Sequence, residues 1–400
     1  MKRKILIIGG SYMNLQMKVN PKTKQKNQTF GSEYRYHPFG NSALTAIATA
    51  KLGGDCAFAT RFGNDTNGKR LYEYYKSCGI LTDLMKKDEN AQTGMSVTIY
   101  SDLETHNNYI SHGANARFTK EEIDDAFITM PDMFLAPLEE IGYEAHTVME
   151  SLDGEGNKEV EAALSEEEEQ EETEAIAETE EEKDGAIMSS DDEDEGDDGD
   201  DENDGEETGA EKSITSETIS SYQKHESLAL YALQKAEDRN VDMLMQYTPF
   251  TAQFPLESLK NIKVLVVSDE MLYSATGFFP NNTEKTLRAL VALSQKIKSK
   301  YYVVQQSDDT VFVYDGIHYE IITAPVMLRT MTKNAGKKMQ QTFIGALAAE
   351  YLESKNILRA CKFAVIVSLL TKGKFGNLEK MMSLPELRQY AAENGFDLYK

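Results

Sequence analysis

Cysteine is scarce, and the three that occur, Cys56, Cys78 and Cys361, are far apart with no C-x-x-C spacing. That argues against a disulfide framework or a structural zinc site, and a reducing, cytoplasmic setting fits best. Six scattered histidines show no metal-ligand spacing and read as surface or ordinary core residues. Long apolar runs are also missing. The longest candidate, residues 364–370, is far short of a membrane span, so no membrane partner is expected. The basic start M-K-R-K is followed by only four apolar residues before Gly9-Gly10, too few for a secretory core.

The most informative absence lies in residues 331–350. Phe343, Ile344, Leu347, Ala348 and Tyr351 recur at three- and four-residue spacing, predicting a helix from Gln340. Asn334, Ala335 and Gly336 would form the small-residue loop before it. Backbone N–H groups at such a helix start suit an anion, for example a phosphoryl group. A phosphotransferase would also place a carboxylate base here. None is present: between Met331 and Phe343 the charged residues are Lys333, Lys337 and Lys338.

Negative charge, by contrast, is abundant and local. Residues 151–210 carry 29 acidic and 2 basic residues, a net of −27 against −25 for the whole chain. The acidity therefore describes one segment. Residues 140–216 have too few apolar groups to offset ordering entropy, and they read as a disordered, low-complexity insertion. Asp200, Glu202, Asp204, Gly205 and Glu211 fit a calcium-loop pattern loosely, but so does any glycine-spiked polyacid, and no amphipathic helices flank them. Like charge excludes direct nucleic-acid binding by this segment.

Outside it, strand-like and helix-like runs alternate. Residues 4–8 read as a buried first strand ending in Gly9-Gly10, and residues 11–40 as short exposed strands. A helix bearing Ala43, Ile47, Ala50 and Leu52 follows and stops at Gly53-Gly54. Later segments at 241–245, 263–267, 283–297 and 301–305 continue the alternation. This pattern implies an α/β fold, a doubly wound, mostly parallel sheet with helices on both faces. Ligands of such sheets bind at the carboxyl ends of the strands, and the acidic insertion hangs from that edge after Glu139.

The motifs F-G-N-S-A-L-T-A-I-A-T-A-K-L-G-G and R-F-G-N-D-T-N-G-K-R-L resemble the first signature of the ribokinase (PfkB-type) carbohydrate kinases. Y-I-S-H-G-A-N-A-R-F-T, P-L-E at 137–139, V-V-S-D-E-M-L-Y-S-A-T-G, T-F-I-G-A-L-A and A-C-K-F-A follow in the family's order. The resemblance covers residues 1–139 and about 217–400, taken as one domain. It implies a small β lid from strands within 11–40 and 92–115, ATP and magnesium as cofactors, and a sugar or nucleoside-like substrate. It also implies a homodimer through the lid, where Tyr34, Tyr36 and Tyr100 would form the face or cover the cleft.

Position by position, the resemblance assigns substrate contacts to Asn14, Gly40, Asn41 and Glu139. Asn14 and Leu44 replace the family's carboxylate and polar anchor. The magnesium-associated N-x-x-E falls on Ser268 and Met271, with Asp269 and Glu270 as weak substitutes for metal binding. The nucleotide loop T-x-G-x-x-G reads Val304, Gln306 and Asp309, adding a negative charge beside the expected phosphates. The anion-hole and base motif aligns two ways. Ungapped, it places Gln341 at the base; with a four-residue insertion it places Lys337 there, after Asn334, Ala335 and Gly336. An amide does not titrate and a lysine near pH 7 is protonated, so neither serves as a general base. The expectation is a ribokinase-like chain that has lost phosphotransfer and binds or regulates, with residues 151–210 recruiting a basic protein. The alternative is an active ATP-dependent sugar or nucleoside kinase with a rearranged site.

Overall fold

Alternation along the first strand decides how the molecule is layered. In β1 (Lys4–Ile8), Ile5 and Ile7 enter one apolar core while Leu6 and Ile8 enter another on the opposite face. A strand buried on both faces belongs in the middle of a covered sheet. The computed structural model describes residues 3–19, 28–100, 106–136, 139, 227–307, 309–333, 340–372 and 381–399. All lie in one compact unit, residues 1–143 with 226–400. The acidic stretch at 140–216, its calcium-like pattern, and Asn334, Ala335, Gly336 and Lys337 lie outside the described residues.

The remaining strands are β2 (Tyr12–Val19), β3 (Gly31–Phe39), β4 (Asp55–Gly63), β5 (Met85–Asp88), β6 (Met95–Tyr100) and β7 (His106–Ser111), then β8 (Met133–Leu135) and β9 (Asp242–Tyr247). They continue with β10 (Ile262–Ser268), β11 (Tyr301–Gln305), β12 (Thr310–Tyr314) and β13 (Tyr319–Thr323). The large sheet has the order β13-β12-β11-β10-β9-β8-β1-β4-β5. It is parallel from β5 to β11, and β12 and β13 add antiparallel at the edge. The chain runs outward from β1 through β4 to β5 and then returns to place β8 on β1's other side. That reversal puts the switch point between β1 and β8.

The helices are α1 (Asn41–Lys51), α2 (Thr66–Ser77), α3 (Lys120–Ile128), α4 (Leu228–Asp238) and α5 (Asp269–Thr276), then α6 (Thr283–Lys296), α7 (Val326–Thr332), α8 (Gln340–Ser354), α9 (Ile357–Leu370) and α10 (Leu384–Glu393). Residues of α1, α2, α8, α9 and α10 share the core of Ile5 and Ile7, whereas α3, α4, α5 and α6 share that of Leu6 and Ile8. Each fully buried Leu or Ile contributes about 2 kcal/mol to this two-sided closure. Met331 and Thr332 end α7, a helix that the sequence reading did not anticipate, just before the loop expected at 334–336. Helix α8 lies against α1 at Gly345, where a Cβ would come within 2.6 Å of Ala48 Cβ and 2.9 Å of the Thr49 backbone nitrogen. The missing side chain lets the two helices approach and sets their first turns side by side.

A second, four-stranded sheet has the order β3-β2-β6-β7, built within the two stretches expected to supply a lid. Its strands are longer than anticipated, and Tyr12, Met13 and Asn14 at the root of β2 are buried. Register separates its faces. Tyr36, Leu15, Val97 and Tyr109 stand abreast on one face, with Tyr34 and Met17 in the next row. Tyr100 is paired with Lys18 and so falls on the other face, where its hydroxyl accepts from the Gln16 amide at 3.5 Å. Tyr34, Tyr36 and Tyr100 therefore do not form one surface; a one-residue offset sends a side chain to the opposite side.

Candidate active site

The cleft is built where β1 ends, beside the switch point. Gly40 precedes α1 at φ 114°, a left-handed conformation that glycine adopts without strain, and this turns the chain so that the first N–H groups of α1 face the strand ends. Glu139 sits against them. Its Oε2 accepts from Asn41 N at 3.3 Å and its Oε1 from Ser42 N at 3.4 Å. A carboxylate suits the positive end of a helix. Burial nevertheless raises the Glu139 pKa, with the Ser42 and Asn41 N–H groups acting in the opposite direction. Gly9 completes the crowding: a Cβ there would meet Ser42 Oγ at 2.0 Å.

Gln341, in the first turn of α8, donates its amide to Asn41 Oδ1 at 2.6 Å. The helix contact at Gly345 thus brings together three residues singled out by sequence, Asn41, Glu139 and Gln341. Leu44 packs against the core and offers the cleft nothing polar. Asn14 is fully buried in the lid; its Oδ1 accepts from Thr98 Oγ1 at 3.1 Å, and its amide lies 3.4 Å from His37 Nε2. Its polar atoms are held by neighbours within the lid sheet.

Tyr12 links lid and cleft. Two residues before Asn14 on the same face of β2, it packs against Gly10 and Gly40, and its hydroxyl lies 3.0 Å from His112 Nδ1. Burial raises the Tyr12 pKa, with the nearby Glu139 charge adding to it, and burial lowers that of His112. The G-A-N-A segment has a structural task. Asn115 accepts from Ser11 N at 2.9 Å and donates to Ser11 O at 2.8 Å, clamping the link between β1 and β2.

Along the same edge, the ends of β10 and β11 are filled by internal contacts. Ser268 caps α5 by accepting from Met271 N at 3.2 Å. Asp269 Oδ2 accepts from Ser307 N at 3.1 Å, and Glu270 is exposed. Gln340 donates its side-chain amide to Gln305 Oε1. The buried Thr342 and Thr371 hydroxyls share a hydrogen bond of 2.9 Å. Val304 is wholly buried in β11. Asp309 takes φ 69° in the turn before β12 and pairs with Lys372 at 2.8 Å. The carboxylate expected to stand as a bare negative charge is thus matched by a cation.

Comparison with known proteins agrees with this architecture. Residues 2–134 match the pfkB family carbohydrate kinase. Ribokinase of Staphylococcus aureus is 29% identical over 143 residues, covering 35% of this chain and 47% of that protein. The match spans less than half the length of the curated relatives. Arabidopsis thaliana ribokinase, solved with ribose and ATP, superposes with a TM-score of 0.62 at 14% identity, over 97% of this chain and 98% of that one. A putative ribokinase II of E. coli, solved with ATP and magnesium, gives 0.58 at 13% identity, over 98% and 100%. The fold is ribokinase-like.

The ribokinase-like chain also resembles the PfkB carbohydrate kinases in sequence across its first third. Among the described residues no three His, Cys, Asp or Glu side chains cluster to hold a metal. Ser268 and Asp269 are engaged in capping and turn bonds, and the stretch expected to meet phosphates carries the Asp309–Lys372 pair. No described helix is long and apolar enough to cross a membrane. Sequence reading missed Tyr12 and Lys372. The first was available from the two-residue period that carries Asn14; the second had no local signal.

Proposed function

We propose that this ribokinase-like protein has lost phosphotransfer and serves as a binding or regulatory module, taking a sugar or nucleoside-like molecule at the Asn41–Glu139 end of its cleft. The observation that carries the reading is Gln341. In the ungapped alignment it stands where the family places its base, and its amide is hydrogen-bonded to Asn41. An amide cannot take the hydroxyl proton, and removal of that step forfeits a typical 10²–10⁴-fold. The retained N–H groups of α1 and the half-buried Glu139 supply hydrogen-bonding capacity for hydroxyl groups.

Residues 151–210, with a net charge of −27, would recruit a basic protein through salt-sensitive attraction. Pull-downs with and without residues 150–212 test that half, and identical partners would defeat it. Exposed Tyr34, Tyr36 and Tyr109 on the outer lid face give a second copy a surface to cover.

The deciding experiment pairs thermal unfolding with and without millimolar MgATP with a screen for sugar-dependent ADP release. Ligand at 100 times its dissociation constant adds about 2.7 kcal/mol, a shift of a few degrees. No MgATP shift and no ADP release are expected, and turnover would defeat the reading. One observation favours an active kinase with a rearranged site: Glu139 is a carboxylate with a raised pKa inside the cleft, as a general base would be. If it acts so, Glu139→Gln abolishes ADP release.

A further inference from the structure

The sheet edge opposite the cleft, at the amino ends of β1 and β4, holds a cavity of about 390 Å³. The ends of α1 and α8 and the beginnings of α9 and α10 enclose it. Its volume falls in the range of small-molecule sites. The Gly53-Gly54 turn from α1 into β4 shapes it. Gly53 takes φ 95°, and a Cβ on Gly54 would meet Thr49 Cγ2 at 2.8 Å. This turn delivers Asp55, the first residue of β4, to the cavity wall alongside Arg3, which precedes β1.

Charge in the cavity is laid out on two levels. Inside, Glu350 is only 8% exposed; its Oε1 accepts from Arg359 Nε at 2.6 Å, and that guanidinium lies 3.9 Å over the Tyr399 ring. The pair is neutral, yet Glu350 Oε2 has no hydrogen-bond partner among the described residues. A buried carboxylate oxygen calls for a donor, which here must come from what fills the cavity. Partly buried Asp55 adds an inner negative charge with no described ion-pair partner. At the exposed mouth stand Arg3, Glu353 and Arg388. Arg3 is held by donating Nη1 to Leu352 O at 2.6 Å, while Glu353 and Arg388 have no described ion-pair partner. The inside thus carries one net negative charge and the mouth one net positive charge.

We propose that this cavity binds a zwitterion, a free amino acid, with its ammonium donating to Glu350 Oε2 and Asp55 and its carboxylate taken by Arg388 and Arg3. An ammonium supplies three donors, and a guanidinium fork matches a carboxylate. A simple anion would be opposed by Asp55 and a simple cation by the arginines, so each level rejects what the other attracts. The site lies away from the cleft and does not depend on the loss of phosphotransfer.

The test uses the full chain and the standard L-amino acids, each titrated calorimetrically at millimolar concentration. At least one should bind saturably. Its α-hydroxy acid, which lacks the ammonium, and its amino alcohol, which lacks the carboxylate, should each bind at least tenfold more weakly. Asp55→Asn and Arg388→Met, checked for folding by circular dichroism, should each weaken the amino acid at least tenfold; Glu350→Gln serves if Asp55→Asn does not fold. No saturable binding by folded wild type, equal binding of either analogue, or undiminished binding by the folded variants overturns the proposal, and none of these results bears on phosphotransfer.

Discussion

The two ends of the cleft differ in what their polar groups face. At the β1 end, Gly40 turns α1 so that its N–H groups and the Glu139 carboxylate meet at loose distances of 3.3 and 3.4 Å. At the β10–β11 end the polar groups are consumed: Ser268 caps a helix, Gln340 meets Gln305, and Asp309 meets Lys372 at 2.8 Å. One fold can thus keep hydrogen-bonding capacity on one side while satisfying the other internally. Scaffold and site are separable, since the sheet and its two cores do not depend on which cleft groups remain available.

The strongest way to break the comparison is to undermine the scaffold of the first end. Buried Asp88 bonds Arg61 at 2.9 Å and Arg117 at 3.0 Å, and Arg61 also reaches Glu122 at 2.9 Å. Burial alone would raise the Asp88 pKa, but the Asn90 N–H and the Arg61 and Arg117 guanidiniums hold it below the usual carboxylate range. Asp88→Asn should cost about 3 kcal/mol by leaving the half-exposed Arg117 without its partner and Arg61 with Glu122 alone, measured by urea unfolding at pH 7. Because the folded pKa is depressed, this contribution is present above the ordinary carboxylate pKa and fades as pH falls through the folded value. Wild type and variant should converge in acid.

Gly345→Ala acts where the two ends meet. It forces α8 off α1 and should cost about 1–3 kcal/mol, while also parting Gln341 from Asn41. Smaller still is Gln341→Ala, which removes one partly exposed hydrogen bond and should cost about 1 kcal/mol or less. An effect as large as that of Gly345→Ala would mean that the first end is as internally committed as the second. The smallest effect is expected from Glu139→Gln. A carboxyl whose folded pKa is raised loses relative stability as pH rises from the ordinary Glu range through the folded value. The variant should therefore match wild type near pH 4 and unfold at a slightly higher temperature near pH 8.

The main architecture was legible because it is written in local order: the buried run at β1, the apolar spacing of α1 and α8, and the glycines that stop or start helices. Candidate residues Asn41, Glu139 and Gln341 were also legible, through motifs in family order. Less legible were the lid faces, where Tyr100 departs from Tyr34 and Tyr36 because strand register, not composition, assigns a side. The helix at Val326–Thr332 was missed because it is short and offers little periodic signal.

By itself the sequence determined the alternating layers, the confinement of acidity to one segment, and the lack of a carboxylate between Met331 and Phe343. Those follow from side-chain chemistry and from periods of two and 3.6 residues, which need only near neighbours. Tertiary structure alone decided that Gln341 reaches Asn41 across 300 residues, and that Asp309 is neutralised by Lys372. Such pairs depend on how a helix start is set against a strand end, a matter of packing at Gly345 and register in the sheet that no single stretch of chain encodes.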